Sequence, residues 1–114
     1  MTTYLLNTFS PMMIAPDTGK RKAITFKLME VELSDIIKVL NEKHFISAVS
    51  HEKTAELLSS LIGKPVSFNR CDIRLKTGDK ALVIIPDIRT GFARELTGQE
   101  LMNAPIRCFI IENQ

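Results

Sequence analysis

Apolar and polar positions change their spacing several times along this chain, and each change marks an element. Tyr4 to Asn7 is a short apolar opening that suits a strand, and Thr8-Phe9-Ser10-Pro11 ends it in a polar loop. After a turn at Pro16-Asp17-Thr18-Gly19, Ala23 to Leu28 alternates with a period of two, as a half-buried strand does. The period then becomes helical: Ile36, Ile37, Val39 and Leu40 share a face of a segment that Ser34 opens and that ends near Lys43. Phe45 to Val49 reads as another strand. Behind it, Ala55, Leu57, Leu58, Leu61 and Ile62 form an apolar stripe on a helix that starts at Ser50-His51 and stops at Gly63, with Pro65 beyond.

In the second half, Cys71, Ile73 and Leu75 alternate with Arg70, Asp72, Arg74 and Lys76. A turn at Thr77-Gly78-Asp79 follows, and then the apolar run Lys80 to Ile85, so the pair predicts a β-hairpin. The second arm is apolar on both faces and therefore belongs in the middle of a sheet. Pro86 to Arg94 reads as an irregular loop, Thr97 to Met102 as a short helix and Arg107 to Ile111 as a closing strand. The pattern predicts an α/β fold in one compact domain spanning residues 1–114, with a mixed central β-sheet flanked by helices.

Composition narrows the function classes. The chain has 114 residues, 45% of them hydrophobic and 25% charged, which suits a single globular core. A net charge of +2 argues against a duplex nucleic-acid binder, which needs a broad basic surface, but allows a local basic pocket. The longest apolar run, Ala81 to Pro86, is too short to cross a membrane, and the opening residues lack the basic region of a signal peptide, so the expected location is cytoplasmic. The two cysteines, Cys71 and Cys108, have no metal-site or disulfide spacing and read as buried core thiols. His44 and His51 fall on different elements and make no metal constellation, so no metal or cofactor is expected.

The most informative chemistry lies at Ser50-His51. The first turn of a helix leaves backbone N–H groups unpaired at the positive end of the helix dipole, where a phosphate finds ready donors. With Ser50 as N-cap, His51 becomes the first helical residue, its imidazole beside those donors and placed to act as a general acid. Residues of these types also have plainer readings. A histidine at a helix start is often surface decoration, Arg70 and Arg74 suit a solvated strand face, and Arg89 lies in a loop. Asn7 and Ser10 commonly satisfy backbone groups in a turn. Lys20-Arg21-Lys22 reads as a solvated turn.

Two blocks, Tyr4 to Ser10 and Ser47 to Gly63, resemble the viral ring nuclease family, also called type III anti-CRISPR proteins, and the likeness continues through Asn69-Arg70 and Gly78 to Ile84. Members are small proteins of archaeal viruses, phages and bacterial mobile elements. They are homodimers that bind cyclic tetra-adenylate, the second messenger of type III CRISPR defence, across the dimer interface and cleave it without metal. The resemblance implies His51 as general acid, Arg70 and Arg89 as phosphate or transition-state contacts, and Asn7 with Ser10 as polar ligand contacts. This chain departs from the family at three points. Ser50 stands where glycine often precedes the histidine; Ile85 replaces a polar residue of some members; and the glutamate that follows the second arginine has Glu95, six residues on, as its nearest counterpart. Those departures keep two further readings in play: a protein that sequesters a cyclic oligonucleotide without cutting it, and a small interaction or regulatory protein of a mobile element.

Overall fold

The computed structural model describes residues 1–15, 23–86 and 106–114. Its strands are β1 (Thr3–Leu6), β2 (Phe26–Val31), β3 (Ile46–Ser47), β4 (Lys80–Pro86) and β5 (Ile106–Asn113), with helices α1 (Leu33–Glu42) and α2 (Glu52–Ile62). The strands form one sheet in the order β2-β5-β4-β1-β3. β1 runs parallel to both β3 and β4, whereas β5 runs antiparallel to β4 and β2. The sheet is mixed, as the sequence pattern predicts, with the antiparallel pairs contributed by β5.

β4 lies at the centre because its side chains are apolar on both faces. Leu82 and Ile84 turn toward the helices, Ala81 and Val83 toward the opposite side, and all four are fully buried. The helix side also takes Leu5, Ile36, Leu40, Leu58 and Ile62. On the other side the sheet carries no α-helix among the described residues. It is covered by chain from the loop after β1 and from the approach to β4, including Phe9, Ile14, Ile73 and Leu75.

That covering explains why the expected hairpin does not form. Residues 70–76 make no ladder with β4, whose two neighbours are β1 and β5. A strand with two apolar faces is best flanked by strands that extend both faces; residues 70–76 carry charges on one side and lie across the sheet instead. Leu75 N–H donates to the Met13 carbonyl at 2.7 Å, and the Asn113 side chain donates to the Leu75 carbonyl at 2.7 Å, which fixes the segment as a lid. The turn itself is present, with Gly78 at φ 89 and Asp79 N–H donating to the Lys76 carbonyl. Ile73 and Leu75 are buried as the alternation predicts, but Cys71 is exposed; of the two thiols expected in the core, Cys108 alone is there.

Two further boundaries differ from expectation. β2 begins three residues later than predicted and is mostly exposed, because it is an edge strand whose Met29 and Val31 alone pack against the helix-side core. α1 is opened by Glu32 rather than Ser34, through a reciprocal capping box in which Glu32 N–H donates to Asp35 Oδ2 at 3.0 Å. α2 ends as predicted, at Gly63 in the left-handed conformation (φ 77), which lets its N–H reach the Ser59 carbonyl. The short helix predicted at Thr97 to Met102 lies outside the described residues.

Candidate functional site

The carboxyl ends of the parallel strands β1 and β3 bring three loops to one corner of the sheet. β1 delivers Asn7, and β3 leads through Val49 to Ser50 and His51. A parallel bridge between Val49 and Phe68 brings in the third segment, so that Ser50-His51 and Asn69-Arg70 each follow directly on a bridged residue. Open α/β sheets bind ligands at this end of their strands, because the loops there carry side chains and helix starts without breaking the ladders.

Local hydrogen bonds hold the three loops together. Asn69 N–H donates to the Val49 carbonyl at 2.9 Å and its side-chain Nδ2 to the Ser47 carbonyl at 2.8 Å, while Ser47 Oγ donates to the Ser67 carbonyl at 2.6 Å. Arg70 is therefore presented from an anchored segment and is itself exposed. On the other side, Ser50 donates twice to Asn7 Oδ1, from its backbone N–H and from its hydroxyl, both at 3.3 Å.

This use of Ser50 shifts the start of α2. The expectation was Ser50 as N-cap and His51 as the first helical residue; instead His51 is the N-cap, with extended backbone at φ −128 and ψ 130, and Glu52 begins the helix. The serine hydroxyl is engaged by Asn7, and the His51 side chain makes no capping hydrogen bond. The imidazole is exposed, and the N–H groups of the first turn stay uncapped next to it. Glu52 in that turn is on the side of the helix dipole that favours a carboxylate.

Of the residues singled out by sequence, Asn7, Ser50, His51 and Arg70 fall on these adjoining segments. Ser10 lies three residues past Asn7 and is committed locally: its side chain accepts the Met12 N–H at 3.3 Å and caps a single 3-10 turn, Pro11–Met13. Arg89 and Glu95 lie outside the described residues. Asn69 and Ser47, which tie down the Arg70 segment, had no role in the sequence reading; a polar residue in a loop gives no sign of which distant carbonyl it will find. The same holds for the exposed pair of Arg107 and Glu30, bidentate at 2.9 and 2.8 Å, whose hydrogen bonds hold the Glu30 carboxyl below its usual range.

A cavity of about 460 Å³ lies elsewhere, where β5 begins beside the end of β2 and the start of α1. Glu30, Glu32, Asp35, Arg107 and Cys108 line it. Three carboxylates against one guanidinium make it a poor host for an anion. Burial first, and then Glu32 and Glu30, push the Cys108 thiol above its usual range. Among the described residues no group of three or more His, Cys, Asp or Glu side chains is arranged to hold a metal ion, and no helix is long and apolar enough to cross a membrane.

A mixed sheet with both described helices on one face, and polar loops gathered at the ends of its parallel strands, defines a small two-layer α/β protein. The chain belongs to the STIV B116-like family, whose model matches residues 3–108. It is 37% identical over 82 residues to uncharacterized protein 26 of Sulfolobus islandicus filamentous virus (isolate Iceland/Hveragerdi), a match covering 72% of this chain and 65% of that protein. Uncharacterized protein ORF116 of Acidianus filamentous virus 1 is 27% identical over 101 residues, 89% of this chain and 83% of its own length. For uncharacterized protein ORF117 of Acidianus two-tailed virus the identity is 31% over 81 residues, 71% of this chain and 66% of that protein. The chain thus spans a little under two thirds of the first and third of these relatives. B116 of Sulfolobus turreted icosahedral virus has the same fold, with a TM-score of 0.73 over 99% of this chain and 100% of that one, at 21% identity. These relatives are small proteins of archaeal viruses, in line with a viral origin.

Proposed function

We propose that the protein is a metal-independent ring nuclease that binds cyclic tetra-adenylate, cleaves it to linear adenylates with 2′,3′-cyclic phosphate ends and so suppresses type III CRISPR signalling. The observation that carries this reading is the junction of β1, β3 and α2, where an exposed His51 stands at an uncapped helix start beside Asn7 and the Arg70 segment. Membership of a family found in archaeal viruses supports it.

The reaction asks three things of the protein. A ribose 2′-hydroxyl attacks the adjacent phosphorus in line, forming the P–O2′ bond and releasing its proton to solvent, while the P–O5′ bond breaks. His51 donates a proton to the departing O5′. Arg70, with Arg89 from the segment outside the described residues, offsets the charge that builds on the phosphoryl oxygens, and the open N–H groups of α2 add to that field. Asn7 and Ser10 position the sugar and phosphate, Ser50 acts at the same corner through Asn7, and Glu95 supplies a carboxylate. A ring with fourfold repetition offers phosphates related by a two-fold axis, so two copies of the site in a homodimer grip it symmetrically in the cytoplasm of the host cell.

Incubation of the protein and its His51→Ala variant with cyclic tetra-adenylate in the presence of chelator, with products resolved by chromatography, tests the reading. Wild type is expected to yield linear adenylates ending in cyclic phosphate, and His51→Ala to cleave about 10²- to 10⁴-fold more slowly while binding stays close to wild type. Binding with no product in either protein marks a sequestering protein instead, and a His51→Ala variant that cuts at the wild-type rate removes the histidine from its role. A wild type that neither binds nor cuts overturns the reading and favours a small interaction protein of the virus.

A further inference from the structure

Asn7 is 9% exposed, and the nitrogen of its side-chain amide, which has no hydrogen-bond partner among the described residues, is not itself buried. Its orientation is fixed by chemistry. A backbone N–H only donates, so the atom 3.3 Å from Ser50 N must be the Asn7 carbonyl oxygen and not its nitrogen. The Ser50 hydroxyl, 3.3 Å from that same oxygen, must then donate as well. Both lone pairs of Oδ1 are thereby used. Nδ2, on the other branch of the planar amide, keeps two N–H donors and presents no acceptor.

We propose that Ser50 is a positioning residue, which latches the Asn7 amide so that Asn7 offers the site donors alone and takes an acceptor group such as a phosphate oxygen. Without the hydroxyl, the oxygen is held by one hydrogen bond and the amide is free to tilt. Glycine or alanine at position 50 leaves the backbone N–H in place but removes the second hold. The latch also joins β1 to the residue that precedes His51, so one hydroxyl sets both the binding donor and the approach of the chain to α2. The identity of the ligand rests on the ring-nuclease reading; the latch rests on the hydrogen bonds alone.

Two measurements separate these. In the first, affinity for cyclic tetra-adenylate and the split between KM and kcat are measured for wild type, Ser50→Ala, Ser50→Thr, Asn7→Ala and the Ser50→Ala/Asn7→Ala double variant. Loss of one neutral hydrogen bond predicts about three- to tenfold weaker binding and a raised KM for Ser50→Ala, rescue by Ser50→Thr, and no further loss when Asn7→Ala is already present. An equal loss in both backgrounds means that Ser50 touches the ligand directly and overturns the latch, as does no loss in the first. In the second, the side-chain amide signals of Asn7 are followed by NMR in the ligand-free protein. They are expected to be alike in wild type and Ser50→Thr and to shift or broaden in Ser50→Ala. Unchanged signals overturn the latch whatever the ligand; shifted signals in a protein that ignores cyclic tetra-adenylate uphold the latch and overturn the ring-nuclease reading.

Discussion

At the scale of single residues, the two cysteines separate most clearly. Cys71 is exposed on the lid segment, and Cys108 is buried on β5 with two carboxylates nearby that disfavour its thiolate. A disulfide reagent such as Ellman's is expected to modify one thiol at once and the second after unfolding alone; fast reaction of both would contradict the burial of Cys108. Its raised pKa also sets a direction with pH. Below the ordinary thiol value of the unfolded chain the thiol is neutral in both states. As pH climbs through that value toward the folded one, the unfolded chain loses its proton first, so stability falls over that alkaline window. Urea denaturation of wild type and Cys108→Ala at neutral and alkaline pH reads this, the variant showing the shallower loss. Alternation along 70–76 could not tell Cys71 from Cys108, because it assigns a face without saying where the covered region stops.

Elements whose signals are local were legible in the sequence. The helix α2 and its glycine stop appear as read, since both follow from spacing within a dozen residues; of the predicted stripe, Ala55, Leu58 and Ile62 are buried, whereas Leu61 is exposed and Thr54 takes a buried place instead. Gly63→Ala offers a clean test of the stop. The added Cβ would have nothing within 4 Å, so its cost is the left-handed backbone alone, about 1 kcal/mol. Gly63→Asn is expected to lose less, both measured by urea denaturation; equal stability of all three proteins would show that the left-handed cap contributes nothing. Where an element depends on a distant partner, the reading failed in identifiable ways. The N-cap of α2 moved by one residue because Asn7, 43 positions away, takes up the Ser50 hydroxyl. Residues 70–76 had the pattern of a strand but lost the competition for β4 to β1 and β5, whose side chains extend both of its faces. In the candidate site, Asn7, Ser50, His51 and Arg70 were legible as residue types, while the anchoring role of Asn69 was not.

For the molecule as a whole, long-range hydrogen bonds tie distant parts of the chain to the sheet. Asp79, 6% exposed, accepts the N–H of Thr2 at 2.8 Å and that of Lys76 at 2.9 Å, binding the chain before β1 to the turn before β4. Asp79→Ala leaves both donors unpaired and is expected to cost about 1–3 kcal/mol in equilibrium unfolding, with Asp79→Asn, which retains one acceptor, falling between. A variant as stable as wild type would show that water replaces the carboxylate without penalty. Strand order also bears on how the protein comes into being. β5, the last described strand to be synthesised, sits inside the sheet between β4 and β2, so until it emerges from the ribosome β4 lacks a neighbour and β2 lacks any. The nascent chain therefore carries one unpaired edge on β4 and an unpartnered β2 until nearly all of these residues have been made, and such open backbone edges are what chaperones that shield emerging chains would have to guard.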